Sequence, residues 1–180
     1  NVKAYLRSDG RKGIRNIIVV AYLVECAHHV AREIMFPFRE RGVHLIGFGG
    51  CYPNAYSFRM MKQLCTHPNV AGAVLVSLGC EGFNRNELAR AIRDTGRPVT
   101  TVVIQNTGGT RKSIAEGQSW ISQTLEQITA TPRVEMGIDE LIVGTICGGS
   151  DATSGITVNP AVGRAFDLLV SRNAREIFEE

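Results

Sequence analysis

Apolar residues in this chain fall in short continuous blocks, separated by stretches where they recur at helical spacing. Residues 17–21 (Ile-Ile-Val-Val-Ala) have no polar position, the pattern of a strand covered on both faces. Ala27, Val30, Ala31 and Ile34 then repeat every three or four residues, and Pro37 ends that helix. Residues 43–48 predict a second strand. Phe58, Met61, Leu64 and Cys65 stripe the helix after it. Residues 72–78 predict a third strand, followed by a helix carrying Leu88, Ala91 and Ile92 that Gly96 closes. The β-branched residues 99–104 predict a fourth strand, and Ile114, Ile121, Leu125 and Ile128 mark a longer helix. A fifth strand is expected over residues 140–146. Asn159 and Pro160 then suit the start of a last helix, with Val162, Ala165, Phe166 and Leu169 turned inward.

Five strands, each followed by a helix, predict an α/β fold: a mostly parallel five-stranded Rossmann-like sheet with helices on both faces. One domain over residues 1–180 is the expected organisation, with its weakest point at the loop 130–133. The composition agrees, at 44% hydrophobic and 21% charged residues. The net charge of +3 is spread without long like-charge runs. Nucleic acid and membrane surfaces are therefore not expected partners. No apolar run approaches the roughly 18–20 residues of a membrane span, and the first residues lack a signal-peptide core. Five widely spaced cysteines, an odd number, argue against a secreted disulfide framework and for reduced thiols in a cytoplasmic protein.

Ligands of open parallel sheets bind beyond the carboxyl ends of the strands. Four cysteines fall at such ends, in Glu25-Cys26, Gly49-Gly50-Cys51, Gly79-Cys80-Glu81 and Cys147-Gly148-Gly149. Two readings stand side by side. Cysteine is often a small buried packing residue, and Cys65, on an apolar helix stripe, is expected to be one. Alternatively, Cys51, Cys80 and Cys147 converge as thiolates on iron, zinc or an iron–sulfur cluster, with one position open for substrate. No compact Cys-x-x-Cys pair settles the choice. Ser150, Asp151 and Ser154 serve either a ligand or a helix cap. The loop from Thr107 to Thr110, with Gly108 and Gly109, is either an anion cradle or a plain tight turn. His28 and His29 open the first helix, as acid/base groups or as ordinary surface histidines. His44 and His67 are expected to be structural. Arg15 and Asn16 lie at the opposite sheet edge, where structure is the expected role.

Several of these stretches together resemble one family. Tyr5 with Arg7, Asp9-Gly10-Arg11 and Gly13-Ile14-Arg15-Asn16 resemble its opening motif. His67-Pro68-Asn69 and Gly79-Cys80-Glu81 resemble its centre. Cys147-Gly148-Gly149-Ser150-Asp151, Ser154-Gly155-Ile156-Thr157 and Asn159-Pro160 with Gly163-Arg164 resemble its most distinctive stretch. The family is that of altronate and galactarate dehydratases, which includes the large subunit of sulfolactate sulfo-lyase. The resemblance implies a lyase that removes water, or sulfite, next to a carboxylate and leaves a 2-keto acid. It implies iron as Fe2+ or a cluster, or another divalent metal such as Mn2+, with Cys26 joining Cys51, Cys80 and Cys147. It implies catalytic roles for Glu81, Gln105, Ser150 and Asp151. Substrate contacts fall to Gly108, Gly109, Gly148, Gly149, Ser154 and Asn159. A sugar acid or other 2-hydroxy acid as ligand, a separate small N-terminal-domain subunit and a homo-oligomer are the partners it implies, and the chain would be part of a longer catalytic region. Two departures bear on substrate choice. Gly47 stands where family members often carry histidine, and Tyr52-Pro53-Asn54 replaces the usual polar residues. A non-catalytic domain that binds a small acid or supports assembly is the rival of a different class. A nucleotide-binding oxidoreductase is disfavoured, because Glu25-Cys26-Ala27-His28-His29 contains no glycine.

Overall fold

A computed structural model of the chain describes residues 2–149 and 151–179. Ala4–Arg133 forms one compact unit and the remaining described residues a second, and each is a body in its own right. The elements in order are β1 (Val2–Leu6), β2 (Lys12–Gly13), β3 (Ile17–Tyr22), α1 (His28–Met35), β4 (Val43–Gly47), α2 (Ala55–Cys65), β5 (Val70–Ser77) and α3 (Arg85–Arg93). They continue with β6 (Val99–Val103), α4 (Ile104–Thr107), α5 (Thr110–Ile128), β7 (Arg133–Met136), β8 (Ile142–Ile146), α6 (Val158–Val170) and β9 (Arg175–Glu179).

The first unit is built on a four-stranded sheet of order β4-β3-β5-β6, parallel throughout. All eight residues of β5 are buried, which is why residues 70–77 read as unbroken apolar sequence. One face carries α1 and α5 over Ile18, Val20, Val74 and Val76, with Ile34, Ile121 and Leu125 between. The other carries α2 and α3 over Val19, Ala21, Ala73 and Leu75, with Met61, Leu88 and Ile92. Cys65 belongs to this second cluster, as expected. It is fully buried, and burial pushes its thiol pKa up to about 12. Because α1 and α3 lie on opposite faces, the neighbouring strands β3 and β5 flank the point where the winding reverses. A crevice opens beyond the carboxyl ends at such a reversal.

The amino end of the sheet is sealed by charge. β1 and β2 pair antiparallel, with Tyr5 opposite Gly13. Arg7 donates to the carbonyls of Pro68 and Arg15 and to Asn16 Oδ1, at 2.6, 2.6 and 2.7 Å. Asp9 accepts from Arg11 and from the buried Arg97, each at 2.7 Å. Arg97 also donates to the carbonyl of Val70. Arg15 and Asn16 therefore hold structure at this edge.

The expected fifth strand forms as β8, but outside this sheet. It pairs parallel with β9, Ile142 opposite Arg175 through Ile146 opposite Glu179, in a two-stranded sheet of the second unit. A five-stranded sheet is thus corrected to four strands plus a separate pair. The last helix also forms, but Val162, Phe166 and Leu169 are only half-buried, and Ala165 is exposed. Its N-cap is Thr157, so Asn159 and Pro160 lie inside its first turn.

Candidate functional site

At the carboxyl edge of the four-stranded sheet, the segments that follow its four strands are tied to one another by backbone. Phe48 N–H donates to the carbonyl of Tyr22 at 2.9 Å, and Glu25 N–H to that of Gly49 at 3.4 Å. Gly82 N–H donates to the carbonyl of Cys51 at 2.8 Å, and Gln105 N–H to that of Leu78 at 3.1 Å. The loops after β3, β4, β5 and β6 thereby form one rim. Cys26, Cys51 and Cys80 all lie on it and are exposed, and Gln105 is exposed beside Gly79.

Glycines in the rim are there for space. Gly79 has φ +127°, and a Cβ there would stand 2.6 Å from Gln105 Oε1. A Cβ on Gly47 would stand 2.2 Å from the Tyr22 ring, its neighbour in register across β3 and β4. The glycine at 47 thus follows from the tyrosine at 22. The other departure has a local cause too. Asn54 caps α2, accepting from Ser57 N–H at 2.8 Å, while Tyr52 stands 82% exposed.

Glu81 is buried, and both its oxygens are occupied. Ser77 Oγ donates to one, and Gly79 N–H to the other at 2.8 Å. Burial alone would raise its pKa. The bonds from Ser77, Gly79 and its own N–H, with the charge of Arg85, more than offset that and hold it below the usual value. An anion so held braces the turn that presents Cys80. Gly108 and Gly109 have φ of +95° and +97°, and both N–H groups donate to the carbonyl of Ile104. That is the bonding of a tight turn between α4 and α5, and it uses both amides.

In the second unit, an open cavity of about 1290 Å³ lies beyond β8. Cys147, Gly148, Gly149, Asp151, Ser154 and Asn159 line it. These are the candidates expected from the sequence in this stretch, apart from Ser150, which lies outside the described residues. Cys147 is exposed, and its N–H donates to the carbonyl of Glu179 at 3.1 Å. Gly149 has φ +157°, and a Cβ on Gly148 or Gly149 would meet nothing within 4 Å. Asp151 accepts from the N–H and Oγ1 of Thr153 at 2.6 and 2.7 Å, which lowers its pKa, and its carbonyl accepts from Ser154 Oγ. Asn159 N–H donates to the carbonyl of Ser154 at 2.9 Å.

Among the described residues, no three His, Cys, Asp or Glu side chains gather closely enough to hold a metal ion. Cys26, Cys51 and Cys80 belong to the first unit and Cys147 to the second. Within each unit, the residues present do not fit the thiolate set by themselves.

Sequence reasoning weighed His28 without a partner for it. His28 Nδ1 lies 3.1 Å from Glu25 Oε1, and its ring packs on Tyr22 with centroids 4.8 Å apart. The three-residue spacing of Glu25 and His28 at a helix start was the available signal.

Two family models match the chain. The second domain of D-galactarate dehydratase/altronate hydrolase covers residues 4–129, and the C-terminal domain of D-galactarate/altronate dehydratase covers residues 138–180. Altronate dehydratase of Bacillus subtilis is 27% identical over 99% of this chain and 38% of its own length. The (2R)-sulfolactate sulfo-lyase subunit beta of Chromohalobacter salexigens is 29% identical over 98% of the chain and 45% of its own length. Galactarate dehydratase (L-threo-forming) of Escherichia coli is 33% identical over 68% of the chain and 25% of its own length. The chain thus spans less than half the length of these relatives.

Proposed function

The chain belongs to the D-galactarate dehydratase/altronate hydrolase family, and from that premise we propose that it forms part of a hydro-lyase converting a sugar acid such as altronate or galactarate to a 2-keto-3-deoxy acid. The observation that carries this reading is the grouping of Cys147, Gly148, Gly149, Asp151, Ser154 and Asn159 around one open cavity, in a segment that the family's C-terminal model covers.

The chemistry is a β-elimination. A proton leaves the carbon beside the carboxylate, the C–C double bond forms, and the neighbouring hydroxyl departs as water. The enol then becomes the 2-keto acid. In this reading the amides of Gly148 and Gly149 face the charge that develops on the enolate, since no side chain fills the space there. Ser154 and Asn159 orient substrate hydroxyls. Asp151, an anion by virtue of Thr153, accepts from a substrate hydroxyl. Glu81 acts by holding the Gly79-Cys80 turn, and Gln105 supports it from α4. Iron, or another divalent metal such as manganese, would supply a Lewis acid to the whole protein. No step above depends on it.

The second reading is elimination of sulfite from a sulfolactate. It is favoured by 29% identity with a sulfo-lyase subunit across almost the whole chain, and by the altered loop at Gly47 and Tyr52. The full-length protein, reduced and iron-loaded, separates the two when offered altronate, galactarate and sulfolactate with 2-keto acid as the readout. Product from a sugar acid is the expected result, and product from sulfolactate alone selects the second reading. No product from any of the three would overturn both.

A further inference from the structure

A charged side chain is costly to take out of water, and as a rule is buried only against an opposite charge. Two arginines at the amino edge of the first unit are buried, Arg7 at 5% and Arg97 at 4% exposure. Among the described residues, one carboxylate serves this cluster. Asp9 holds Arg97 and Arg11, each at 2.7 Å, while Arg7 donates only to two carbonyls and the side-chain oxygen of Asn16. Neighbouring groups feel the surplus of positive charge. Burial, and after it the charge of Arg97, lowers the pKa of Arg7 to about 10, so Arg7 stays charged at neutral pH. Burial, and after it the charges of Arg11 and Arg97, lowers that of His67.

Arg97 also carries an unmet donor. Its Nε donates to the carbonyl of Val70 at 2.9 Å and its Nη1 to Asp9. Its Nη2 is buried and has no hydrogen-bond partner among the described residues. A buried donor left unmet is costly, and such donors are rare. Arg97 forms part of the wall of an open cavity of about 840 Å³, which lies wholly within the first unit. Arg7, Ser8, Arg93, Gln127 and Thr131 supply the other polar side chains of that wall. Among the described residues, three arginines and no carboxylate line it. Two helices, α3 and α5, end at this cavity, and their last carbonyls are already engaged. Those of Arg93, Gln127 and Ile128 accept from the N–H groups of Gly96, Ala130 and Thr131.

We propose that this cavity binds a small oxyanion, a carboxylate or a phosphate, against Arg7, Arg93 and Arg97. The planar guanidinium suits both, because its N–H groups match two oxygens of either. The anion supplies the acceptor that Arg97 Nη2 lacks and a second negative charge for the buried pair. Gln127 and Thr131 can donate to its remaining oxygens. The site lies at the opposite end of the sheet from the rim that carries Cys26, Cys51 and Cys80, so it is separate from that rim. It does not rest on the dehydratase reading. An anion that binds only the folded cluster stabilises the first unit by mass action.

The test uses the full-length protein at low ionic strength, where screening is weak, with chloride as the comparison salt. Inorganic phosphate and galactarate are titrated separately by calorimetry. Gln127→Glu puts a carboxylate on the cavity wall, and Arg93→Ala removes a cation from it. Both positions are exposed, so both variants are expected to keep the parent Tm in chloride. Binding of at least one anion is expected to weaken about five- to ten-fold in Arg93→Ala and about ten-fold or more in Gln127→Glu. Phosphate binding altered alone identifies phosphate as the ligand, and galactarate binding altered alone identifies a carboxylate. The anion that responds is expected to raise the Tm of the parent and not that of Gln127→Glu. No binding by either anion, or affinities for both that Gln127→Glu leaves unchanged, overturns the proposal.

Discussion

Single side chains here do more bracing than their types suggest. Glu81 looks like a catalytic carboxylate in sequence, but Ser77 and Gly79 occupy both its oxygens. Its folded pKa lies below its unfolded value, so its contribution to stability is complete above about pH 4.3 and fades as pH falls through the folded value. Glu81→Gln is expected to cost about 1–3 kcal/mol at neutral pH in chemical denaturation, and to flatten the acid limb of the stability curve. An unchanged acid limb would place that sensitivity elsewhere. Asp9 repeats the logic at the other edge. Burial pushes its pKa up, but Arg11 and Arg97 pull it well below the usual range. Arg97 is only 4% exposed, so removing its partner leaves a buried charge. Asp9→Asn is expected to cost about 3 kcal/mol, read as a lower denaturation midpoint. Residue types were legible in the sequence, but partners distant in the chain were not. Arg97 and Asp9 lie 88 residues apart, and no local pattern joins them. Cys65 was legible because burial on a helix stripe is a local property.

Among the elements, four strands and their helices could be read because buried parallel strands need apolar residues on both faces. β1 and β9 were missed for the complementary reason. Val-Lys-Ala-Tyr-Leu and Arg-Glu-Ile-Phe-Glu mix charged and apolar positions, so neither makes a block. The partner of β8 was not legible either, since an apolar run states that a strand is covered and not by which neighbour. Close packing between elements gives a sharper prediction. A Cβ on Gly117 of α5 would stand 2.6 Å from Ile34 Cδ1 of α1, with both other branch carbons of Ile34 at 2.9 Å. Gly117→Ala is therefore expected to lose about 1–2 kcal/mol despite alanine's better helix propensity. Gly148→Ala, with open space around it, is expected to stay within about 0.5 kcal/mol of the parent. Equal effects in thermal melts would contradict this contrast.

For the molecule as a whole, the division into units follows where the apolar clusters lie. Both clusters of the first unit fall between Ile18 and Ile128. A fragment of residues 1–133 is accordingly expected to unfold in one cooperative step with near-ultraviolet dichroism intact, and a featureless spectrum would show that it needs the rest. The loop 130–133, the weakest point by sequence, adjoins the division at Arg133. The thiolate reading makes a prediction for the full-length protein only. Serine at Cys51, Cys80 or Cys147 is expected to lower iron content after anaerobic purification, and unchanged content in all three variants would exclude a thiolate site there.

The pairing of Asp9 with Arg97 also sets a clock for the nascent chain. Asp9 leaves the ribosome 88 residues before Arg97 does. At roughly 5–20 residues per second that is a wait of about 4–18 s. Through that interval the turn at Asp9 has Arg11 to hold but not the buried guanidinium that completes it. The turn at Asp9 is thus completed only once Arg97 has emerged, just ahead of β6.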